Sequence, residues 1–411
     1  MGMSLANEKR TYTLGFWRVS KQEFNKGVNK GHTARMKSLP ILSALYKYPD
    51  IFIYPISYRH PKTDPYTPHG DRTRECVSCD LNTIYADRCN WVDPTFSPEG
   101  SYVVINCGGT GNGVPVSTLH YISDSGDISL RGEVENNTQL IENLEAFKFR
   151  TREYGEISLP QVDDEVFYYT LHKPPNFDPS KKYPLLVQVY SGPGYQDTID
   201  SFISTWAIGY IPSSDLDVVV VTFDGRGTGF RGDKIRNMVY NRLGEYEPLD
   251  QIEATRQITE KYNFIDSSKV AMWGRSYGGY ITARTMSEDE NILFRCGLSV
   301  APVTDWMTYH NFYTERYMGL PKENGIGYNK STVFQKLHNI GKHYFVLIHG
   351  TSDENVHFLH SARLSKALID EDIDFSAYFA GDEPHRFDRG ANAYGHHYKL
   401  LTHHLKSCFE L

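Results

Sequence analysis

The chain has 411 residues, a net charge of -7, 40% hydrophobic residues and 23% charged residues. These values are ordinary for a globular protein, and the length allows two or three domains. The acidic balance, together with the lack of a run rich in Lys and Arg, argues against a nucleic-acid partner. Because charges and prolines interrupt residues 39–58, the most apolar early stretch, we expect no membrane-spanning segment. Residues 1–20 have no apolar core, so we expect no signal peptide.

The first part of the chain divides into an unassigned segment, 1–50, and a β-rich segment, 51–155. The second segment holds short β-like runs separated by turn residues, a pattern typical of antiparallel structure. These runs are Ile51–Tyr58, Ser101–Asn106, Ser117–Ile122 and Ile128–Arg131. Such a segment forms one or two propeller blades or a small sandwich, and no repeat completes a ring.

Residues 156–411 show a different pattern, in which apolar strands alternate with amphipathic helices. This order predicts a mostly parallel twisted sheet with helices on both faces, the α/β-hydrolase arrangement. The predicted strands are Tyr183–Tyr190, Asp217–Phe223, Val270–Trp273, Cys296–Val300, His343–His349 and Phe375–Phe379. The predicted helices include Leu249–Tyr262, Tyr280–Met286 and Tyr394–Phe409.

The motif Gly274-Arg-Ser276-Tyr-Gly278 lies between a predicted strand and a predicted helix. This is the context of a nucleophile elbow, a tight turn that exposes a serine hydroxyl above a sheet. The flanking glycines relieve crowding around the strained central residue. The sequence therefore predicts Ser276 as a catalytic nucleophile.

A serine nucleophile needs a base, and the base needs a group that orients it. In this fold the three residues follow in the order Ser, Asp or Glu, His. Asp353 is the first carboxylate after the strand His343–His349, and His385 follows the strand Phe375–Phe379. The backbone N–H of Tyr277 is predicted to donate to the oxyanion, and the phenol of Tyr190 is a second candidate donor.

The six cysteines are Cys76, Cys79, Cys89, Cys107, Cys296 and Cys408. They favour disulfides over a zinc site, because only one Cys-x-x-Cys is present and no histidines cluster near it. Disulfides imply an oxidising compartment, and the sequons at Asn136 and Asn329 agree with secretion and glycosylation. Since the N-terminus offers no signal for export, we expect the chain to be part of a longer protein.

Several motifs make residues 183–411 resemble the dipeptidyl peptidase IV branch of the prolyl oligopeptidase family. The motifs are Tyr190-Ser-Gly-Pro-Gly, Phe223-Asp-Gly-Arg-Gly-Thr-Gly, Asp250-Gln-Ile-Glu-Ala, Gly274-Arg-Ser-Tyr-Gly-Gly-Tyr280, Tyr313-Thr-Glu-Arg-Tyr-Met-Gly-Leu-Pro321 and His349-Gly-Thr-Ser-Asp-Glu-Asn-Val-His-Phe358. Weaker matches at Cys76-Val-Ser-Cys79 and Ser117-Thr-Leu-His120 resemble the end of the propeller of that family. The resemblance implies an α/β-hydrolase domain preceded by a partial propeller remnant.

The resemblance also implies roles for particular residues. Ser276, Asp353 and His385 match the triad, and Tyr190 matches the oxyanion tyrosine. The walls of a pocket for the penultimate proline match Tyr277, Val303, Trp306, Tyr309, Tyr313 and Val356, and Asn355 matches a residue that binds a substrate carbonyl. The cysteines match the disulfide pairs Cys76–Cys79, Cys89–Cys107 and Cys296–Cys408.

The implied activity is a serine-type peptidase that removes dipeptides by cleaving after proline or alanine, without a metal or organic cofactor. The implied partners are peptide substrates and a second copy of the chain bound through the hydrolase domain, to which the helix Tyr394–Phe409 contributes. The implied location is the secretory pathway, cell surface or extracellular space.

Two departures from the family pattern affect this interpretation. Arg275 replaces the usual tryptophan before the nucleophile, and a buried guanidinium there would need a carboxylate or carbonyl partner. Most of the propeller is missing, and with it the acidic pair and the arginine that fix the amino terminus of the substrate. A catalytically silent interaction protein and an esterase of the same fold are therefore alternative functions.

Overall fold

The computed structural model describes residues 78–411 except 90–91, 110–112, 124–126, 147, 161, 163–164, 201, 203–205, 208–210, 212–213 and 215. Earlier in the chain it describes residues 4–7, 10–14, 52–56 and 75–76, as backbone only. The chain divides into two compact units, residues 1–147 with 199–202, and residues 148–198 with 203–411.

The described strands of the first unit form two antiparallel sheets of four strands each. One sheet contains β1 (Ser4–Asn7), β2 (Arg10–Leu14), β3 (Phe52–Ile56) and β4 (Glu75–Cys76). The other contains β5 (Val92–Phe96), β6 (Tyr102–Cys107), β7 (Val116–Ile122) and β8 (Ile128–Glu135). Short helices α1 (Cys79–Tyr85) and α2 (Thr138–Leu144) and a 3-10 turn, Ala86–Arg88, accompany them.

Alternating side chains build the small core of this unit. Along β7, Val116, Thr118, His120 and Ile122 are buried while the residues between them are half-exposed, the period expected of a strand with one covered face. The disulfide Cys89–Cys107 lies in the same core. These strands confirm antiparallel β structure before the hydrolase fold. The predicted pair Cys76–Cys79 involves side chains outside those that the structure describes.

The second unit is built on an eight-stranded sheet with the order β16-β15-β14-β13-β11-β12-β10-β9. Its strands are β9 (Thr151–Ile157), β10 (Phe167–Lys173), β11 (Tyr183–Gln188), β12 (Val219–Asp224), β13 (Ile265–Arg275), β14 (Cys296–Val300), β15 (Tyr344–Gly350) and β16 (Ser376–Ala380). Its helices are α3 (Asp233–Arg236), α4 (Glu247–Lys261), α5 (Tyr277–Glu288), α6 (Asn311–Met318), α7 (Gly325–Ser331), α8 (Leu337–Ile340), α9 (Leu359–Asp370) and α10 (Ala393–Phe409). Among the described residues of this unit, 3-10 turns cover Asn237–Val239, Trp306–Thr308 and Val333–Lys336.

The six strands from β11 to β16 are parallel, and the α/β-hydrolase prediction is confirmed. The central strands β12 and β14 are buried at every position, as expected where helices cover both faces. Successive residues alternate between two cores. Met272 packs with α4, α5 and α9 on one face, called here the α5 face. Trp273 packs with α10 on the other, called the α10 face.

Two antiparallel strands at one edge of the sheet were not predicted from the sequence. Strand β9 pairs with β10 along its whole length, and β10 pairs with β12. The sheet therefore begins at Thr151, ahead of residue 156, where the sequence pattern changes. The division into a β-rich domain and a hydrolase domain stays a prediction, with its boundary moved to the start of β9.

The disulfide Cys296–Cys408 joins β14 to the end of α10. It closes a loop with a sequence separation of 112 residues, which in the chain-entropy model contributes roughly 4–5 kcal/mol to stability. Among the residues that the structure describes, no helix combines the length and the apolar character needed to cross a bilayer.

Candidate active site

Ser276 lies on a strained turn between β13 and α5. Its backbone has φ 61° and ψ -120°, in a region that costs a residue with a Cβ roughly 1–3 kcal/mol. The Ser276 N–H donates to the Val300 carbonyl oxygen at 2.8 Å, which holds the turn against the neighbouring strand β14. The geometry is that of a nucleophile elbow, and the serine is half-exposed.

The glycines of this turn are required by close backbone contacts. A Cβ at Gly278 would lie 2.1 Å from the Val189 oxygen, and one at Gly274 would lie 2.3 Å from the Gly278 oxygen. A Cβ at Gly279 would lie 2.4 Å from the Val300 oxygen. Since real Cβ atoms do not approach backbone oxygens so closely, all three positions need glycine.

Asp353 and His385 meet at the carboxyl edge of the sheet. Asp353 follows β15 and His385 follows β16, and the His385 Nδ1 lies 2.6 Å from the Asp353 Oδ2. The Asp353 side chain is fully buried, whereas the His385 side chain is 12% exposed. With Nδ1 donating to the carboxylate, Nε2 is left to accept a proton, as a general base requires.

The Asp353 carboxylate is held by four donors. Its Oδ1 accepts from the N–H groups of Asn355 and Val356 at 2.9 and 2.8 Å, and its Oδ2 accepts from His349 as well as from His385. Burial alone would raise the pKa of this carboxyl, but the interactions with His349 and His385, chiefly their hydrogen bonds, outweigh burial and hold the pKa well below its usual range. Asp353 is therefore ionised at neutral pH.

The Ser276 hydroxyl makes no hydrogen bond to His385 or to any other residue that the structure describes. Ser276, Asp353 and His385 all follow parallel strands at the same sheet edge, and β13 and β15 are separated by β14 alone. Hydrogen bonds of this kind are often long in enzymes without substrate and tighten when substrate binds. The structure thus joins Asp353 to His385 and places Ser276 on a neighbouring loop.

His349 was not predicted as a site residue. It is fully buried at the end of β15, and its Nε2 lies 3.1 Å from the Asp353 Oδ2 and 2.8 Å from the Val356 carbonyl oxygen. Because both of these atoms are acceptors, Nε2 is the protonated nitrogen, and Nδ1 accepts from the Ser361 hydroxyl at 2.7 Å. His349 thus holds the same carboxylate oxygen, Oδ2, that accepts from His385.

The two predicted oxyanion donors, Tyr277 and Tyr190, lie next to each other at the elbow. Tyr277 is the first residue of α5, so its N–H is one of the donors that a helix leaves unpaired at its start. The Tyr190 ring lies beyond β11, with its centroid 6.0 Å from that of Tyr277. Burial raises the pKa of the Tyr190 phenol, so the hydroxyl is protonated at neutral pH and is able to donate.

The predicted proline-pocket residues form one cluster on the α5 face, called here the aromatic cluster. Its members are Tyr277, Val303, Trp306, Tyr309, Tyr313 and Val356. The Trp306 ring stacks on Tyr313 with centroids 5.7 Å apart, and it meets Tyr277 and Tyr309 at 5.6 Å. The Tyr309 hydroxyl donates to the Asn355 side-chain oxygen at 2.6 Å, so Asn355 borders the cluster.

Sequence reasoning also missed two carboxyls next to Tyr190, the half-buried Asp197 and the buried Asp224. The Asp197 carboxylate accepts the Tyr190 N–H at 3.0 Å, and Asp224 accepts the N–H groups of Asp197 and Thr198 at 2.9 and 2.7 Å. Burial raises the pKa of both carboxyls, and the Asp224 charge raises that of Asp197 further. The pair fixes the loop that carries the Tyr190 ring.

Glu247 contacts the aromatic cluster through a hydrogen bond from Tyr277. It is buried, and its Oε1 accepts the Tyr277 hydroxyl at 2.6 Å while both its carboxyl oxygens contact the Gly244 N–H. Burial raises the pKa of Glu247 to about 7, although these hydrogen bonds oppose that effect. Folding therefore favours the protonated acid.

The stability of the protein is expected to fall as the pH rises from 5 to 8, in part because of Glu247. A carboxyl whose pKa is raised by folding stabilises the protein fully below its unfolded pKa, and this contribution is lost as the pH passes the folded value. For Glu247 the loss is on the order of 3 kcal/mol. Melting temperatures from pH 5 to 8 should therefore fall less steeply in Glu247→Gln than in the wild type. Equal slopes in Glu247→Gln and wild type would contradict this prediction, and the exposed Glu323→Gln is the matched control.

Arg275 does not follow the sequence expectation of a partnered guanidinium. The residue is half-buried beside Ser276, and its guanidinium makes no hydrogen bond or ion pair with any residue that the structure describes. Its positive charge lowers the pKa of Tyr190 and the pKa of His397 on α10.

The chain is similar to known proteins of one family. The model for the prolyl oligopeptidase family matches residues 204–411. Dipeptidyl peptidase 4 from Bos taurus is 42% identical over 338 residues, which are 82% of this chain and 42% of that protein. Prolyl endopeptidase FAP from Homo sapiens is 39% identical over 341 residues, covering 82% of this chain and 43% of that protein.

A solved structure leads to the same relatives. The crystal structure of Porphyromonas gingivalis dipeptidyl peptidase 4 matches with a TM-score of 0.73 and 28% identity, over 89% of this chain and 46% of that one. The chain thus spans less than half the length of these relatives.

Proposed function

Because the chain belongs to the prolyl oligopeptidase family and is similar to dipeptidyl peptidase 4, we propose that it is a serine-type peptidase that cleaves after proline or alanine near peptide amino termini. The observation that supports this most is the Asp353–His385 hydrogen bond of 2.6 Å, at the edge of the sheet where Ser276 occupies a strained elbow. The fold alone would not justify an activity, because one fold serves many functions.

In the proposed mechanism the Ser276 hydroxyl attacks the scissile carbonyl while the His385 Nε2 takes its proton. Asp353 holds the imidazole in the required tautomer and stabilises the cation that forms. The N–H of Tyr277 and the phenol of Tyr190 donate to the oxyanion. His385 then gives the proton to the leaving amine, and water hydrolyses the acyl-enzyme by the same steps in reverse order.

The aromatic cluster supports a preference for proline. Flat rings and β-branched side chains suit a rigid pyrrolidine ring, and within the cluster they offer no partner to a charged side chain. Asn355 lies at its edge, where its amide is able to donate to a substrate carbonyl, since its oxygen already accepts from Tyr309.

The proposal is tested by the products formed from Gly-Pro-Ala-Gly-amide. We expect release of Gly-Pro, with cleavage after proline and at no other bond, measured by mass spectrometry. Peptides with leucine in place of proline should be cleaved much more slowly. Lack of any cleavage by the folded chain would contradict the proposal, and faster turnover of short acyl esters than of Gly-Pro amides would favour an esterase.

The location and assembly of the protein are part of the proposal. The disulfides Cys89–Cys107 and Cys296–Cys408 support an oxidising compartment, such as the secretory pathway, the cell surface or the extracellular space. Asn136 and Asn329 are exposed, so both are accessible to glycosylation. We also propose a homodimer through the hydrolase domain, to which α10 contributes.

A further inference from the structure

The side chain of Arg275 lies on the opposite face of the sheet from the aromatic cluster. Side chains two residues apart on a strand point to the same face, and Trp273 belongs to the core of the α10 face. Arg275 is also in register with Val300 of β14, another member of that core. Tyr277, Val303 and Trp306 belong to the core of the α5 face.

The groups that respond to the Arg275 charge lie on both sides of the elbow, His397 on α10 and Tyr190 beside the core of the α5 face. Burial and, to a smaller extent, the Arg275 charge together lower the pKa of His397 on α10 to about 3. The same charge opposes the rise that burial produces in the pKa of Tyr190. The guanidinium therefore lies near both α10 and Tyr190, beside Ser276.

Arg275 is available to a ligand. It is half-buried, and it has no hydrogen-bond or ion-pair partner in the described part of the chain. The Asp197 carboxyl, which acts on the same tyrosine, accepts the Tyr190 N–H and forms no ion pair with the guanidinium. An unpaired guanidinium in a partly dry site binds a carboxylate strongly, through two parallel hydrogen bonds.

The proposed function sets which part of a substrate passes this cation. The acyl part, with its proline, lies on the α5 face against the aromatic cluster. The leaving group continues from the other side of the carbonyl that Ser276 attacks. It therefore lies away from the aromatic cluster, towards the face of the sheet that carries Arg275.

We propose that Arg275 is a specificity-determining residue that binds a carboxylate in the leaving group of the peptide, within two residues after the scissile bond. This inference rests on the proposed peptidase function, because that function sets the direction in which the peptide lies. The carboxylate comes from an acidic side chain or from the carboxyl terminus of a short peptide. Substrates with Asp or Glu after the cleaved bond are therefore preferred over those with Lys.

The test measures binding without turnover. In the Ser276→Ala protein, calorimetry compares Gly-Pro-Glu-Gly-amide with the Gln and Lys analogues, and with Gly-Pro-Gln-Gly as the free acid. We expect the Glu peptide to bind about tenfold tighter than the Gln peptide, with the Lys peptide weaker still, and added salt to reduce the difference. If Gly-Pro-Gln-Gly binds more tightly as the free acid than as the amide, the carboxyl terminus is a second group that supplies the carboxylate to Arg275.

Variants at position 275 show whether the preference depends on this side chain. A second substitution, Arg275→Gln, should abolish the difference between the Glu and Gln peptides, and Arg275→Lys should retain part of it. Equal binding of the Glu and Gln peptides with Arg275 present overturns the inference, as does a preference that survives in Arg275→Gln or an absence of binding by all peptides.

Hydrolysis of Gly-Pro-Gln-Gly-amide by the chain with Ser276 intact is measured separately. Cleavage without a charge preference removes only the role of Arg275. A binding preference for Glu without any cleavage overturns the peptidase function and the assignment to the leaving group, whereas carboxylate binding by Arg275 stands.

Discussion

Replacing Ser276 with alanine is expected to lower kcat/KM for a Gly-Pro amide by about 10⁵-fold. The substitution removes the only atom that forms the acyl-enzyme in the proposed mechanism, while the backbone of the elbow is kept. Both residues carry a Cβ, so the positive φ of 61° costs them a similar amount of strain. The melting temperature should therefore change little.

Ser268→Ala is the matched control for this prediction. Ser268 lies on the same strand, β13, where it is exposed and donates only to the neighbouring Asp266. It should retain wild-type kcat/KM in the same assay. If Ser276→Ala keeps more than about one tenth of the activity, the hydrolysis is carried out by another group.

Asp353→Asn is expected to lower kcat/KM by about 10⁴-fold, because it forces His385 into the wrong tautomer. The N–H groups of Asn355 and Val356 donate to Oδ1, so they will hold the amide oxygen of the new asparagine on their side. Its NH₂ group must then face the His385 Nδ1, which becomes an acceptor. The proton moves to Nε2, and the imidazole no longer accepts a proton from Ser276.

The same substitution should lower stability, since the NH₂ group also faces the protonated Nε2 of His349. Loss of a charge-assisted hydrogen bond from a buried site costs roughly 1.5–3 kcal/mol, which is measured as a lower melting temperature. Asp388→Asn, an exposed carboxylate near His385 in sequence, is the control for both readouts. A variant Asp353→Asn with near-normal activity would show that Asp353 does not orient the base.

Sequence reasoning predicted the central strands of the fold because their signals are local. An apolar run such as Cys296–Val300 is readable without its neighbours, and the structure has the strand at the same residues. The glycines around Ser276 were also readable, since a tight strand-to-helix turn needs them at fixed spacing.

The residues that hold the site residues in place, His349, Asp197 and Asp224, could not be predicted from local patterns. His349 stands four residues before Asp353 in a recognised motif, but this spacing predicts a side-chain contact in a helix, and here His349 lies at the end of a strand. Asp197 and Asp224 are 27 residues apart, and only the parallel pairing of β11 with β12 brings their loops together. A contact made by the sheet has no local signal in the chain.

The edge strand β9 and the side chain of Arg275 also differ from what the sequence led us to expect. Strand β9 carries the charged residues Arg152, Glu153 and Glu156 at half-buried or exposed positions, so it does not show the apolar run of a parallel strand. For Arg275 we expected a partner because a buried charge requires one, but the side chain is only half-buried and remains unpaired in the described structure.

The central claim is that Ser276 is a nucleophile activated by His385 and Asp353. A fluorophosphonate probe tests it directly, because the probe reacts with an activated serine and leaves a covalent mark that mass spectrometry locates. We expect one label per folded chain, on the peptide that contains Ser276, and much slower labelling in Asp353→Asn. A folded chain that takes no label, or that is labelled only at another residue, would contradict the claim.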